Sequence, residues 1–165
     1  MSVEQARSAQ SDHSSIIEAA ATHACRTHHN DPANLIEILH DLQEDIGHVP
    51  QSALPVIAKA VNRSRAEIHG VVSFYHDFRQ APAGTVTVKI CRAEACQSMG
   101  ALDLIEAVCR RHGITLGETS ASGVTVEPVY CLGNCALSPA ALVNDKPLGR
   151  VDAERLDAAI GSALA

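Results

Sequence analysis

Aromatic residues and positive charge are both scarce in this sequence. Its 165 residues include no Trp, two Phe and two Tyr, so the core must be built from Ala, Val, Leu and Ile, and little is available for ligand recognition by stacking. Lys and Arg number 13 against 19 Asp and Glu, which gives a net charge of −6. Because no basic run occurs either, the chain lacks a surface that follows nucleic-acid phosphates, and we expect no nucleic-acid partner.

Long apolar segments and nucleotide-binding motifs are also missing. No apolar stretch approaches the roughly 20 residues that span a bilayer, and the polar opening segment lacks the apolar region of a signal peptide. These features predict a cytoplasmic chain that does not bind a membrane. The sequence contains no G-x-G-x-x-G, G-x-x-x-x-G-K, G-x-S-x-G or H-E-x-x-H motif, which argues against catalysis by this chain alone.

The first half of the chain predicts a helical bundle, because its apolar residues recur at the spacing of one helical face. Residues 1–13 show no such period, so we expect a flexible tail there and the bundle over residues 14–81. The predicted helices cover residues 15–28, 31–46, 52–61 and 64–74.

Residue types at the ends of two of these helices support the prediction. Asp31 is suited to cap the helix over residues 31–46, with Pro32 at the first helical position and Gly47 as the stop. Ser64 and Glu67 have the spacing of a capping box, which opens the following helix.

A second domain is predicted over residues 84–165, after the change of composition at residues 81–84. Strands rich in β-branched residues alternate here with helical periodicity, and Pro128 indicates that one strand lies at a sheet edge. The fold class is therefore α/β, with an N-terminal helical bundle followed by a βαββα unit. The predicted elements are a strand over 85–90, a helix from Ala101 to Gly113, a strand over 124–129, a hairpin of strands 140–144 and 147–151 across Asp145 and Lys146, and a helix capped by Asp152.

Four of the six cysteines form two pairs, each directly after a predicted strand. The pairs are Cys91-x4-Cys96 and Cys131-x3-Cys135. In a βαβ unit with a right-handed crossover, the carboxyl ends of the two parallel strands lie side by side, so both loops should meet at one edge of the sheet. Four converging thiolates predict a metal site.

Three kinds of centre compete for these four cysteines. A structural zinc site typically uses Cys-x2-Cys knuckles, and both spacings here are wider. A disulfide or redox pair favours an oxidising compartment or a Cys-x-x-Cys at a helix start, and neither feature is present. A 2Fe–2S cluster needs two thiolates for each of two irons, which one loop per iron would supply. The pattern favours iron–sulfur and leaves the other two open.

The remaining cysteines, Cys25 and Cys109, are interpreted as structural. Cys109 lies beside the apolar stripe of a predicted helix. Cys25 falls in the string HACRTHH (23–29), which suggests a second metal site, but a Rieske centre would also need a Cys-x-His, and the chain has none. We expect this string to form a polar helix face.

Four segments resemble the thioredoxin-like 2Fe–2S ferredoxin family, which includes the small flavin-side subunit of respiratory complex I. They are LQEDIGHVP (42–50), VVSFYHDF (71–78), CRAEACQSMG (91–100) and CLGNCALSP (131–139). The resemblance covers residues 15–163 and implies a thioredoxin-like ferredoxin domain after Gly84. It also implies one 2Fe–2S cluster per chain, with Cys91, Cys96, Cys131 and Cys135 as the four ligands.

The first cysteine loop is most similar to that of the gamma subunits of soluble, NAD-dependent, molybdenum-containing formate dehydrogenases. This resemblance implies an electron-transfer subunit, not catalytic alone, in a complex that converts formate and NAD to CO2 and NADH. The implied partners are a beta subunit that carries FMN and the NAD site and an alpha subunit that carries the molybdenum cofactor. The helices over 31–46 and 64–74 offer either a docking face for such a partner or ordinary core packing.

The equivalent subunits of complex I and of NAD-reducing hydrogenase are alternatives to the formate dehydrogenase assignment, since they share the cluster and the flavoprotein partner. A different class of function is a zinc-stabilised adaptor whose helical half binds another protein.

Overall fold

The computed structural model describes the backbone of residues 3–165 and the side chains of residues 14–165. The helix predicted over residues 15–28 begins earlier in the structure, at Val3, and so includes residues 3–13 of the segment predicted as a flexible tail. The flexibility of that segment stays a prediction. The fold divides into two compact units, Met1–Pro82 and Ala83–Ala165. In the part of the chain that is described, we find no helix with the length and apolarity that a membrane crossing requires.

The first unit consists of helices around an aliphatic core. These are α1 (Val3–Thr27), α2 (Leu35–Ile46), α3 (Leu54–Ala60) and α4 (Arg65–Phe74), with a 3₁₀ turn over Pro32–Asn34 before α2. The apolar face predicted for α2 packs into this core, where Ile38, Leu39 and Leu42 are fully buried. Core packing therefore accounts for the apolar face of α2, whereas α4 leaves Phe74 exposed at its end.

The predicted helix ends are confirmed with one difference. The Asp31 side chain accepts from the Ala33 N–H (2.9 Å), but the turn that follows is 3₁₀ and regular α-helix begins only at Leu35. Gly47, at φ 84°, ends α2 and donates its N–H to the Gln43 carbonyl. The capping box of Ser64 and Glu67 forms in both directions, so these local signals specify the helix boundaries directly.

The second unit is a four-stranded mixed sheet with helices, as the α/β prediction requires. Its elements are β1 (Val86–Cys91), α5 (Glu94–Ser98), α6 (Ala101–His112), β2 (Val124–Val129), β3 (Ala140–Val143), β4 (Lys146–Gly149) and α7 (Ala153–Leu164). The strand order is β2-β1-β3-β4. β1 pairs in parallel with β2 and antiparallel with β3. Pro128 lies on β2 at the sheet edge, as predicted.

The core of the second unit joins the central strand to α6 and α7. Val86, Val88 and Ile90 of β1 are fully buried, and Leu156 and Ile160 of α7 pack in the same cluster. Because β1 is covered in this way, its last residue is held in a fixed position at the end of the sheet.

Two details of the second unit differ from the sequence prediction. The hairpin between β3 and β4 turns at Asn144 and Asp145, not at Asp145 and Lys146, because Asn144 and Asp145 take φ of 45° and 63° and Lys146 pairs with Val143. Two consecutive positive φ angles are typical of the I′ turn that suits a tight hairpin. The short helix α5 was not predicted, because five residues are too few to show an apolar period.

Candidate metal centre

The two cysteine pairs lie at the same end of the sheet. Cys91, the last residue of β1, is in register with Val129, the last residue of β2, and the Arg92 N–H donates to the Val129 carbonyl (2.8 Å). Residues 91–100, the first cysteine loop, and residues 130–139, the second cysteine loop, therefore start side by side, as the βαβ argument predicts.

The first cysteine loop is part of the folded core. The side chains of Cys91 and Cys96 are each 2% exposed, and they cluster with Ala101 and Ala140. Cys96 lies on α5, so one helical turn separates the strand end from the second sulfur of the pair. Both cysteines of this pair are therefore shielded from solvent.

The second cysteine loop holds its pair on the surface. Cys131 and Cys135 are exposed, and their sulfurs lie 3.9 Å apart. The loop bends because Cys131 and Gly133 take φ of 84° and 69°, after which Cys135 begins a 3₁₀ turn. The bend lets the Gly133 N–H donate to the Cys131 sulfur (3.4 Å).

The end of β4 supports the second cysteine loop, a contact that the sequence did not predict. The Arg150 N–H donates to the Leu137 carbonyl (2.6 Å) and the Val151 N–H to the Pro139 carbonyl (3.0 Å). Gly149 comes so close that an added Cβ would lie 2.6 Å from the Leu137 Cβ and 3.1 Å from the Asn134 side-chain nitrogen. A glycine is required here by this close approach, which only the tertiary structure reveals.

Backbone N–H groups of both loops affect the pKa of the Cys91 thiol. Burial alone would raise the pKa of the Cys91 thiol, but the pKa lies below its ordinary value because backbone N–H groups, first that of Ala93, stabilise the charged sulfur. The Cys131 and Leu132 N–H groups donate from the second loop. These donors stabilise a thiolate at Cys91 and connect the two cysteine loops.

The thiols also interact through their charges. The hydrogen bond with the Cys131 side chain and the negative charge of Cys131 raise the pKa of Cys135, and the charges of Cys96 and Cys91 add to this shift. Neighbouring thiolates disfavour one another unless a cation neutralises them. The arrangement therefore has the electrostatics of a site where metal ions neutralise neighbouring thiolates.

The donor set fits a binuclear centre that takes two thiolates on each side. Two sulfurs bound at about 2.3 Å to one tetrahedral metal lie about 3.8 Å apart, close to the 3.9 Å between the Cys131 and Cys135 sulfurs. Among residues 14–165, no three His, Cys, Asp or Glu side chains are grouped so as to hold a single metal ion. Beside the Cys131–Cys135 pair, the Gly133 N–H donates to the Cys131 sulfur, which is the kind of hydrogen bond that an anionic iron–sulfur cluster accepts.

The other two cysteines belong to the apolar cores of the two units. Cys109 is buried in the core of the second unit, and burial raises its pKa. Cys25 is fully buried in the helical core, where burial likewise raises the pKa of its thiol. The polar face expected for residues 23–29 therefore excludes Cys25. His28 lies on that segment and pairs with Asp41 (2.9 Å).

The sequence also matches a family of known proteins. The model of the thioredoxin-like [2Fe-2S] ferredoxins matches residues 21–163, which include both units and both cysteine pairs. The chain belongs to this family. Thioredoxin-like ferredoxins of this kind bind a 2Fe–2S cluster, and the paired thiols described above are of the type that such a cluster uses.

Relatives of this thioredoxin-like ferredoxin include components of larger complexes. A component of the NADH-quinone oxidoreductase of Pseudomonas aeruginosa is 34% identical over 126 residues, which are 75% of this chain and 76% of the relative. The HndA component of the NADP-reducing hydrogenase of Solidesulfovibrio fructosivorans is 30% identical, over 72% of this chain and 70% of the relative.

A solved structure extends the similarity to a third complex. A crystal structure of an NAD+-reducing [NiFe]-hydrogenase in the H2-reduced state matches 79% of this chain with a TM-score of 0.63 and 28% sequence identity. The match covers 22% of the hydrogenase chain, so the ferredoxin spans about a fifth of that longer polypeptide.

Proposed function

We propose that this chain binds one 2Fe–2S cluster through Cys91, Cys96, Cys131 and Cys135 and acts as an electron-transfer subunit of a nicotinamide-dependent oxidoreductase complex. The observation that carries the proposal is that the parallel pairing of β1 and β2 brings both cysteine pairs to the same end of the sheet, with the Cys131 and Cys135 sulfurs 3.9 Å apart. Only a centre bound by both loops makes use of that arrangement. A 2Fe–2S cluster supplies one-electron redox chemistry when it is bound.

The two loops have different tasks in this function. The cysteines of the first loop are buried, which keeps water away from their sulfurs and strengthens the interaction of N–H donors with them. The second cysteine loop is exposed and gives a partner access to the centre. Tyr130 and Leu137 of the same loop, which are 62% and 41% exposed, add apolar surface, as expected where another protein docks.

The complex that we propose is a formate dehydrogenase that reduces NAD. Its beta subunit would carry FMN and the NAD site, and its alpha subunit would carry the molybdenum cofactor. The relatives named as NADH- and NADP-linked components support a nicotinamide-dependent complex, and formate as the substrate rests on the similarity of the first cysteine loop. We place the complex in the cytoplasm. The chain itself catalyses no reaction alone and passes electrons singly to or from the flavin, which exchanges pairs with NAD as hydride.

The cluster assignment is tested by EPR spectroscopy of the anaerobically purified chain after reduction with dithionite, with iron, sulfide and zinc counted on the same sample. We expect a rhombic spin-one-half signal with two irons and two sulfides per chain. A colourless sample without this signal and with one zinc per chain would contradict the proposal and favour the zinc-stabilised adaptor.

The identity of the complex is tested by affinity purification of the tagged chain from its own cells under anaerobic conditions. We expect a flavin-containing and a molybdenum-containing subunit to co-purify and the sample to reduce NAD with formate. Reduction of NAD with H2, or co-purification with quinone-reducing subunits, would instead assign the chain to a hydrogenase or to complex I and refute formate as the substrate.

A further inference from the structure

The Ser138 hydroxyl lies between the two cysteine pairs. Its oxygen is 3.4 Å from the Cys96 sulfur of the first cysteine loop, whose thiol donates to it. The same hydroxyl donates to the carbonyl of Cys135 in the second cysteine loop (2.7 Å). Ser138 is half-buried, so this one hydroxyl touches a ligand residue of each loop in a partly shielded position.

The two contacts compete for one proton once Cys96 loses its own. In the thiol form, the S–H of Cys96 donates to Ser138 and leaves the Ser138 proton for the Cys135 carbonyl. A metal-bound Cys96 is a thiolate and has no proton to donate. The Ser138 hydroxyl then holds the only proton between the sulfur and the carbonyl, and rotation about its C–O bond can direct that proton to either acceptor.

The Cys135 carbonyl does not depend on this hydroxyl. The backbone N–H of Ser138 also donates to it (3.3 Å). Rotation of the hydroxyl towards Cys96 therefore leaves the carbonyl with a partner and avoids the cost of an unsatisfied buried acceptor.

We propose that Ser138 is a positioning residue that donates its hydroxyl proton to the Cys96 thiolate and so raises the reduction potential of the cluster. The proposal rests on the function proposed above, because it takes Cys96 as a cluster ligand. A hydrogen bond to a charged acceptor is stronger than one to a neutral carbonyl, which favours the sulfur as soon as it is a thiolate. Because reduction adds negative charge to the centre, the bond strengthens in the reduced state and stabilises it relative to the oxidised state.

The test compares two serine-to-alanine variants of the full chain. Ser138→Ala removes the hydroxyl at the Cys96 sulfur. Ser98→Ala, two residues after Cys96 on α5, removes a hydroxyl that donates to the Ala95 carbonyl (2.9 Å) and is the matched control. The midpoint potential of each is measured by redox titration followed by EPR, with iron counted before and after. Ser138→Thr keeps a hydroxyl, and Ser138→Gly is a second variant without one.

We expect Ser138→Ala to hold two irons and to shift the midpoint to a more negative potential. At a fixed ambient potential, the ratio of reduced to oxidised cluster should fall by up to about tenfold, which equals about 59 mV for a one-electron couple. Ser98→Ala and Ser138→Thr should keep the wild-type midpoint. If Ser138→Ala does not retain iron, Ser138→Gly provides the same comparison.

An unchanged midpoint in an iron-replete variant that lacks the Ser138 hydroxyl would overturn this proposal and leave the cluster assignment in place. An equal shift in Ser98→Ala would also overturn it, because the effect would then belong to the general polarity of the loop. Absence of iron from the wild-type chain would instead refute the proposed function itself, so the two failures are distinguishable.

Discussion

The two cysteine loops bring the same kind of side chain to one site by different means. In the first loop, the fold buries Cys91 and Cys96 at the end of the central strand and on α5. In the second loop, Cys131 and Cys135 lie on the surface, and positive φ angles at Cys131 and Gly133 shape the chain around them. One pair is therefore held by packing and the other by local backbone geometry.

The buried pair and the exposed pair meet two different requirements of a redox centre. A low-dielectric side with fixed N–H donors sets the energy of the charged centre, whereas an exposed side is needed for exchange with a partner. A site built from two buried loops would meet only the first requirement. We therefore expect substitutions in the two loops to have equal effects on cluster binding and unequal effects on folding.

The largest expected effect is the loss of the cluster. Changing any one of the four cysteines to Ser should reduce the iron content from two per chain to near zero, because a tetrahedral thiolate site with an open position binds its metal weakly. Iron and sulfide analysis with the EPR signal measures this. The matched controls are Cys25→Ala and Cys109→Ala, which lie in apolar cores and should keep both irons. Retention of the cluster in Cys131→Ser would contradict the assignment of the second loop.

The next largest effect is expected where β4 supports the second cysteine loop. Gly149→Ala places a Cβ 2.6 Å from the Leu137 Cβ, so the loop must move, and overpacking of this kind typically costs about 1–3 kcal/mol. We expect a lower free energy of unfolding in urea and a reduced iron content. Gly161→Ala, on α7 with no atom within 4 Å of the added Cβ, should instead be stabilising by about 0.5–1 kcal/mol. Equal iron content in the two variants would show that the second loop does not need this support.

A third prediction compares the loops without metal. In the metal-free, reduced chain, Cys96→Ala removes a buried side chain and should lower the free energy of unfolding by about 1 kcal/mol. Cys135→Ala removes an exposed side chain and should leave the urea midpoint unchanged within error. Equal losses in both variants would contradict the division between a packed loop and a surface loop.

The convergence of the cysteine pairs could be predicted from the sequence, because it depends on a general rule of chain topology. Two β-branched segments with an intervening helix specify a βαβ unit, and the parallel direction of its strands places Cys91 and Cys131 at the same end of the sheet. The helix caps at Ser64 and Gly47 could also be predicted from the sequence, because each depends on residues within four positions of one another.

Most of the features that sequence reasoning missed at the site depend on contacts between distant segments. The need for Gly at position 149, the end of β4, arises from Leu137 in the second cysteine loop. The burial of Cys25 arises from the helices that pack around it. The Ser138 contact joins residues 42 positions apart. Motif spacing contains no information on such contacts. The turn at Asn144 was missed for a local reason, because Asn-Asp and Asp-Lys are both acceptable turn pairs.

The smallest effect concerns the backbone of the second loop itself. Cys131 takes φ of 84°, a conformation that costs a residue with a Cβ about 1–2 kcal/mol, whereas Gly loses about 0.4–1 kcal/mol more on folding through its unfolded-state entropy. In the metal-free chain, Cys131→Gly should therefore be more stable than Cys131→Ala by about 0.5–1 kcal/mol, measured by urea denaturation. At Cys135, which begins a 3₁₀ turn, the order should be reversed. A more stable Ala variant at both positions would mean that the bend at Cys131 forms only when the cluster binds, so that the second loop is shaped by its ligand and not by its own backbone.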